Sequence, residues 1–230
     1  MPLKGILETA RTLSYYTRLQ QVVANNLANA NTDAFKVDRV TARIFNGSES
    51  PVPVQETDFQ QGALRDTGRP LDLALDGDGF FVVQTENGER LTRGGSFRLD
   101  AGGQLIDALG APVLGKEGPL VIAGGAVEVL SDGAVMVDGA VLDTLRIETV
   151  EDVSTLMKEG RGRYLADGPT TAPGFGQTEI LQGFVEEANL DPVTSMVELV
   201  KIQHQYKANV DALQAMDAVL SSIANDVGTV

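Results

Sequence analysis

From Leu199 to Ile223 the residues Leu199, Ile202, Tyr206, Asn209, Leu213, Met216, Leu220 and Ile223 step alternately three and four positions apart, apolar at every place except Asn209. That spacing holds one narrow stripe on one side of a helix. It predicts a coiled-coil seam rather than the broader face of a surface helix. A polar residue such as Asn209 inside a seam is a device for fixing register. Asp191 can cap this helix, and Pro192 occupies the first helical position, where its missing N–H costs nothing. The helix is expected to run to about Asn225. A second helix, Leu3 to Ala28, is the expected partner. Leu3, Ile6, Leu7, Ala10, Leu13, Thr17 and Ala24 fall along one side of it, and Tyr15, Tyr16, Leu19, Val22 and Val23 cover much of the other. A helix apolar on two sides is buried among several neighbours, and isolated helices are marginal in water without such packing.

The first helix ends in a cluster of Asn25, Asn26, Asn29 and Asn31, followed by Thr32 and Asp33. Asparagine competes with the helix backbone for hydrogen bonds and tolerates left-handed conformations, so the cluster marks a helix stop. Four side-chain amides can also bridge neighbouring backbones in a lattice, and spacing alone leaves both readings open. Residues 37–61, with Gly47, Ser48, Ser50, Pro51 and Pro53, read as an extended linker with room for one strand at Arg39–Phe45. Residues 62–183 change to short β segments between turn signals. Leu71–Leu75 alternates, Phe80–Gln84 is a β-rich run, and Asn87-Gly88 between two such runs predicts a hairpin with a type I′ turn. Asp132-Gly133 and Asp138-Gly139 open two consecutive turn–strand units, Glu151–Met157 can form a helical turn, and residues 160–176 read as a loop. The fold class is therefore mixed α and β. Residues 1–36 and 184–230 supply helices that form a coiled-coil-like helical domain, and 62–183 form a central all-β domain, an irregular sandwich or barrel.

Composition narrows the function. The 230 residues are 43% hydrophobic, as in a folded chain, and carry a net charge of −14. Lys4, Arg11, Arg18 and Lys36 outweigh Glu8 and Asp33 in the first helical segment, whereas Asp191, Glu198, Asp211, Asp217 and Asp226 outweigh Lys201 and Lys207 in the last. Opposite signs favour pairing of the two ends, and the acidity lies in the middle of the chain. An acidic body argues against nucleic acid and against an anionic membrane surface. The chain has no cysteine, so no disulfide or thiolate metal site is expected. No stretch reaches the length of a membrane span. The N-terminus lacks a secretory pattern, so export would need a specialised route.

Little catalytic chemistry is visible. His204 is the lone histidine, off the seam on the last helix, and no Ser-His-Asp or His-rich metal set can be assembled around it. Asp72, Asp76 and Asp78 make the densest carboxylate group, most simply a tight turn. Two other readings of it are a calcium loop, for which it offers only part of the ligand pattern, and a paired-carboxylate hydrolase. Gly77-Asp78-Gly79 and Gly160-Arg161-Gly162 do not continue into a phosphate-binding pattern. No catalytic residue, metal or cofactor is expected.

The run Ala24-Asn25-Asn26-Leu27-Ala28-Asn29-Ala30-Asn31-Thr32-Asp33-Ala34-Phe35-Lys36 resembles the N-terminal signature of the bacterial flagellar basal-body rod protein family, the rod and hook axial proteins. Gly183-Phe184-Val185-Glu186 through Asn189 and into Leu199–Leu220 resembles the family's second block. Arg69–Leu75, Gly79-Phe80-Phe81 and Leu91–Phe97 are similar to the β domain of its proximal and distal rod members, and the short linker resembles the proximal ones. Ala34 stands where the family usually has Gly. It would be strained if that site needs positive φ, which leaves room for a different local turn. The family's Gln-Arg pair in the last helix appears as Gln203-His204.

The resemblance implies a non-enzymatic structural subunit of the periplasm-spanning rod. It would be exported unfolded through the flagellar type III export apparatus and partnered by itself and by other rod and hook axial proteins. The assembly residues would be Asn25, Asn26, Leu27, Asn29, Asn31, Thr32, Phe35, Leu199, Ile202, Tyr206, Asn209, Leu213, Met216, Leu220 and Ile223. The competing reading is a soluble carbohydrate- or calcium-binding β module dimerised by its terminal helices.

Overall fold

The computed structural model describes residues 2–43, 52–174 and 176–227, with side chains described for 9–41, 53–174 and 176–219. The chain folds as two compact units. One draws on Met1–Ala30, Asp38–Asp58 and Leu190–Val230, the other on Asn31–Val37 and Phe59–Asn189.

The first unit holds helix α1, Pro2–Ala28, strands β1, Asp38–Arg43, and β2, Val52–Thr57, and helix α2, Pro192–Val227. Helix α2 begins where its cap dictates: Asp191 Oδ1 and Oδ2 accept the Val193 and Thr194 N–H groups at 3.1 and 3.3 Å. Strands β1 and β2 pair antiparallel from Asp38↔Thr57 to Arg43↔Val52. The stretch expected as a linker with one strand thus carries a hairpin, while Phe45 and the turn signals Gly47–Pro51 lie outside the described residues. Pro53 fits because β2 is an edge strand. Asp38 pins the hairpin to the helix end. Its N–H and C=O exchange hydrogen bonds with the Asn26 side-chain amide at 3.0 and 2.8 Å, and its carboxylate accepts from Thr57 and Gln55. Helix α1 packs on both α2 and β1.

Two helices and a mostly β remainder are present, but a coiled-coil helical domain is not. Of the described seam positions only Ile202 is buried; Leu199, Tyr206, Asn209 and Leu213 are half-buried and Met216 is 43% exposed. Asn209 donates its amide to Gln205 O, one turn back on its own helix, at 2.8 Å, which is not a register contact. The physical reason lies in α1. Among its described residues the buried positions are Val22, Val23 and Asn26, near one end, so within the chain α1 covers only a short part of the α2 stripe. Leu220 and Ile223 fall in α2, with side chains outside those described.

The second unit contains, in chain order, β3 Leu64–Asp66, β4 Leu73–Gly77, β5 Phe80–Thr85, β6 Gly88–Thr92, β7 Arg98–Leu99, β8 Leu105–Ile106, β9 Val127–Val129, β10 Ala134–Val137, β11 Ala140–Thr144, β12 Ile147–Val150, β13 Leu156–Gly160, β14 Arg163–Ala166, β15 Thr170–Thr171, β16 Thr178–Gln182 and β17 Phe184–Glu186. The largest sheet has the order β13-β14-β6-β5-β12-β15. Beside it stand a three-stranded sheet, β11-β10-β9, and the pairs β16-β4, β17-β3 and β7-β8. The β region is thus an assembly of small sheets around one larger one. Strand β5 explains the arrangement. Phe81 and Val83 enter one apolar core with Leu73, Leu75, Phe97 and Val113, while Phe80 and Val82 enter a second with Leu91, Leu114 and Tyr164. A strand buried on both faces reads as a continuous apolar run, as Phe80–Val83 does. Each such side chain contributes roughly 1.5–3 kcal/mol.

The hairpin at Asn87-Gly88 is present, with a different turn. Thr85 pairs with Gly88 across Glu86 and Asn87, and of these residues only Gly88 has positive φ, +100°. This is a turn closed by a glycine bulge rather than a type I′ turn. The two turn–strand units are β10 and β11, and a 3₁₀ turn spans Val153–Thr155. Residues 160–176, expected as a loop, also hold β14 and β15.

Two predictions follow from these contacts. A Cβ added at Gly95 would lie 1.6 Å from Leu73 O, so Gly95→Ala forces the backbone apart. It should lower stability in urea unfolding by about 2 kcal/mol. Hydrogen bonds from Thr194 and then the Val193 N–H hold the Asp191 carboxyl below its ordinary value. A depressed folded value means the cap stabilises above the unfolded carboxylate range and is lost as pH falls through the folded value. The difference in helical melting temperature between wild type and Asp191→Ala should therefore be open at neutral pH and close in acid.

Candidate functional site

The segment following α1 is where the sequence signature becomes geometry. Residues 31–37 belong to the β unit. Phe35 N–H turns back onto Thr32 O, and Ala34, buried, takes φ +54°. A non-glycine residue in this region costs about 1–2 kcal/mol. The conformation is held by the Ala34 N–H, which donates to Glu186 O at 2.7 Å. Ala34 therefore keeps positive φ and does not relax into a different turn.

The next residue, Lys36, points into the protein. Its side chain and that of Glu186 are each 1% exposed, and Nζ lies 2.5 Å from Glu186 Oε1. Lys36 Nζ also donates to Gln60 O at 2.7 Å, and the Gly62 N–H donates to the same Glu186 Oε1 at 2.9 Å. On the other side Arg93 Nε sits 3.3 Å from Glu186 Oε2, an ion pair without hydrogen-bond alignment. Arg93 spends its remaining donors on Gly79 O and Gly77 O at 2.9 and 2.8 Å. Burial lowers the Arg93 pKa from its ordinary value, and the Glu186 charge opposes the shift. One buried carboxylate thus serves two buried cations.

Further contacts surround this trio. Lys158 Nζ lies 4.5 Å from the Phe35 ring centroid and donates to Lys36 O. Asn189 accepts the Val37 N–H and donates to Gln60 O at 3.0 Å. Asp33 accepts from Ser96 Oγ at 2.7 Å and faces Arg65, which also pairs with Glu187. The buried pairing of Lys36 and Arg93 with Glu186 is not part of the sequence reading. The available signal is a charge adjoining an apolar pair, as in Phe184-Val185-Glu186, within an otherwise core-forming strand.

The expected assembly residues divide. Asn26 and Phe35 are buried, Asn26 on Asp38 and Phe35 beneath Lys158. Leu27 and Asn29 are half-buried, and the Asn29 amide closes on Asn25 O at 2.9 Å. Asn25, Asn31 and Thr32 are exposed. Of the four asparagines, Asn26 and Asn29 are engaged inside the chain as a helix stop. On α2 the seam faces are half-buried beyond Ile202, whereas Val193, Met196, Val197 and Val200 are exposed, Val193 by 68%. At 100° per residue these four form a second stripe opposite Ile202. His204 and Gln203 are exposed. Asp72 is buried and bonded to Thr67, while Asp76 and Asp78 are exposed at the β4–β5 turn. Among the described residues no carboxylate or histidine group is arranged to hold a metal ion, and no helix is long and apolar enough to cross a membrane.

Comparison with known proteins accounts for both regions. The family model described as flagella basal body rod protein matches residues 11–36, the flagellar hook protein FlgE/F/G D1 domain matches 74–142, and the flagellar basal body rod FlgEFG protein C-terminal model matches 181–226. The flagellar basal-body rod protein FlgF of Caulobacter vibrioides is 35% identical over 202 residues, 81% of this chain and 82% of the relative. FlgG of Bacillus subtilis is 31% identical over 249 residues, 92% and 94% of the two chains, and FlgF of Escherichia coli is 28% identical over 221 residues, 86% and 88%.

The chain belongs to the flagellar basal-body rod protein family.

It is a structural rod subunit of the flagellar basal body, and other rod and hook components are its partners. The three matched segments of this rod protein each contribute one member of the buried trio: Lys36, Arg93 and Glu186.

The strained turn before Lys36 is directly testable. Ala34→Gly relieves the left-handed strain but loses a buried methyl and adds freedom to the unfolded chain, so urea unfolding should shift by no more than about 1 kcal/mol. Ala34→Val puts a branched side chain at the same φ in a buried site and should cost about 2 kcal/mol or more.

Proposed function

We propose that this rod subunit assembles by coupled folding and docking of its terminal helices, and that it is not an enzyme. It would cross to the periplasm-spanning rod unfolded, through the flagellar export apparatus and without a cleaved signal peptide. There its helices would stack on copies of itself and on other axial proteins, so that the rod transmits torque as one shaft. The observation that carries this reading is the apolar stripe Val193, Met196, Val197 and Val200, exposed on α2 opposite the side that carries Ile202. An apolar helix face of this kind marks an interaction surface. The remaining seam, from Leu199 through Tyr206, Asn209 and Leu213 to Met216, Leu220 and Ile223, is proposed to complete its burial in the assembled rod, with Asn25, Leu27, Asn31 and Thr32 at the end of the neighbouring helix.

The test uses Val197→Asp. The site is exposed in the chain, so the variant should fold with unchanged spectra. It should be missing from purified basal bodies and should abolish spreading in soft agar. Normal incorporation together with normal swimming would remove this surface from the assembly.

A further inference from the structure

The buried trio joins parts of the chain that are far apart in sequence. Lys36 and Glu186 are separated by 150 positions, and Arg93 lies between them. Strand β17, which carries Glu186, pairs with β3, and β16 pairs with β4, so residues 178–186 complete sheets begun by residues 64–77. Until that late segment arrives, Lys36 and Arg93 lack the Glu186 carboxylate that they share in the folded unit. An unpaired buried cation is strongly unfavourable, so neither can be buried alone. Contacts of such separation are also the last to gain on the entropy of loop closure.

We infer that Glu186 is the closing contact of the β unit, a gate that keeps an incomplete chain from locking into its folded form. The gate works whichever end of the polypeptide emerges first, because the charges it joins lie near opposite ends of the unit. The same closure fixes the points where the chain leaves for its helical parts. Ala34 N–H, Val37 N–H and Phe35 C=O are all held by Glu186 or Asn189, just before residue 38 and residue 190. The use of such a gate, a chain that stays open through a narrow conduit and shuts once whole, rests on the export reading above. The folding behaviour itself does not, and in vitro kinetics separate the two.

The experiment measures folding and unfolding rates of the full chain by pulsed hydrogen exchange at core amides of β5 and β6. If the contact closes after the rate-limiting barrier, Glu186→Gln should speed unfolding about a hundredfold while changing the refolding rate less than about threefold. Lys36→Met should shift unfolding in the same direction, and the triple variant Lys36→Met, Arg93→Met, Glu186→Leu should unfold more slowly than Glu186→Gln, because no charge of the trio is left stranded. Should Glu186→Gln fail to fold, Glu186→Asp provides the same comparison with a smaller loss. Refolding slowed by more than half of the total loss of stability, expressed as a ratio of rates, would overturn the inference. So would the absence of any loss of stability.

Discussion

The β unit depends on a carboxylate that has no access to water. Glu186 neutralises Lys36 and Arg93, accepts the Gly62 N–H, and through its backbone carbonyl holds the strained Ala34. Taking three charges out of solvent is unfavourable unless the geometry satisfies them together, so each contact fixes the others. The short path through Phe35, Lys36 and Val37 is thereby determined as strictly as any core strand, although it has no regular secondary structure. Polar pairing gives specificity here, and the apolar clusters on the two faces of β5 supply the bulk of the burial.

Those clusters share a single strand. Phe80 and Val82 face one core, Phe81 and Val83 the other, and the T-shaped contact of Phe81 with Phe97 is matched on the opposite face by Phe59, Phe80 and Tyr164. The small sheets hang on this shared element, which is why many short strands can coexist without closing into one barrel. Arg93, just past the end of β6, connects this system to the buried carboxylate, its guanidinium 5.8 Å from the Phe80 ring centroid.

The ends of both helices were readable because their signals are local: Asp191-Pro192 starts α2, and the asparagines stop α1. The seam was readable as an amphipathic face and α1 as the helix it meets, but not how little of the stripe α1 buries. Periodicity from Leu199 onward shows one stripe, whereas burial is decided by what α1 offers, and the competing stripe from Val193 to Val200 lay just upstream. One strand of the β1–β2 hairpin was expected near its place, but the pairing was hidden because Asp38-Arg-Val-Thr-Ala-Arg43 alternates weakly and Pro53 argues against a strand at Val52–Thr57. The turn at Asn87-Gly88 was displaced by one residue, since glycine at a bulge and glycine in a tight turn leave the same letters. The charged trio was unreadable in principle from spacing alone. Lysine, arginine and glutamate are ordinarily surface residues, and only the fold brings residues 36, 93 and 186 together.

The distribution of tyrosine has a practical consequence. The chain has four tyrosines and no tryptophan, and only Tyr164 belongs to the β unit, fully buried, while Tyr15, Tyr16 and Tyr206 belong to the helical unit. Ultraviolet emission from the native polypeptide is consequently a mixture dominated by its helices. Exchanging Tyr164 for phenylalanine would leave a molecule whose tyrosine emission comes wholly from the helical unit, a built-in optical handle on it.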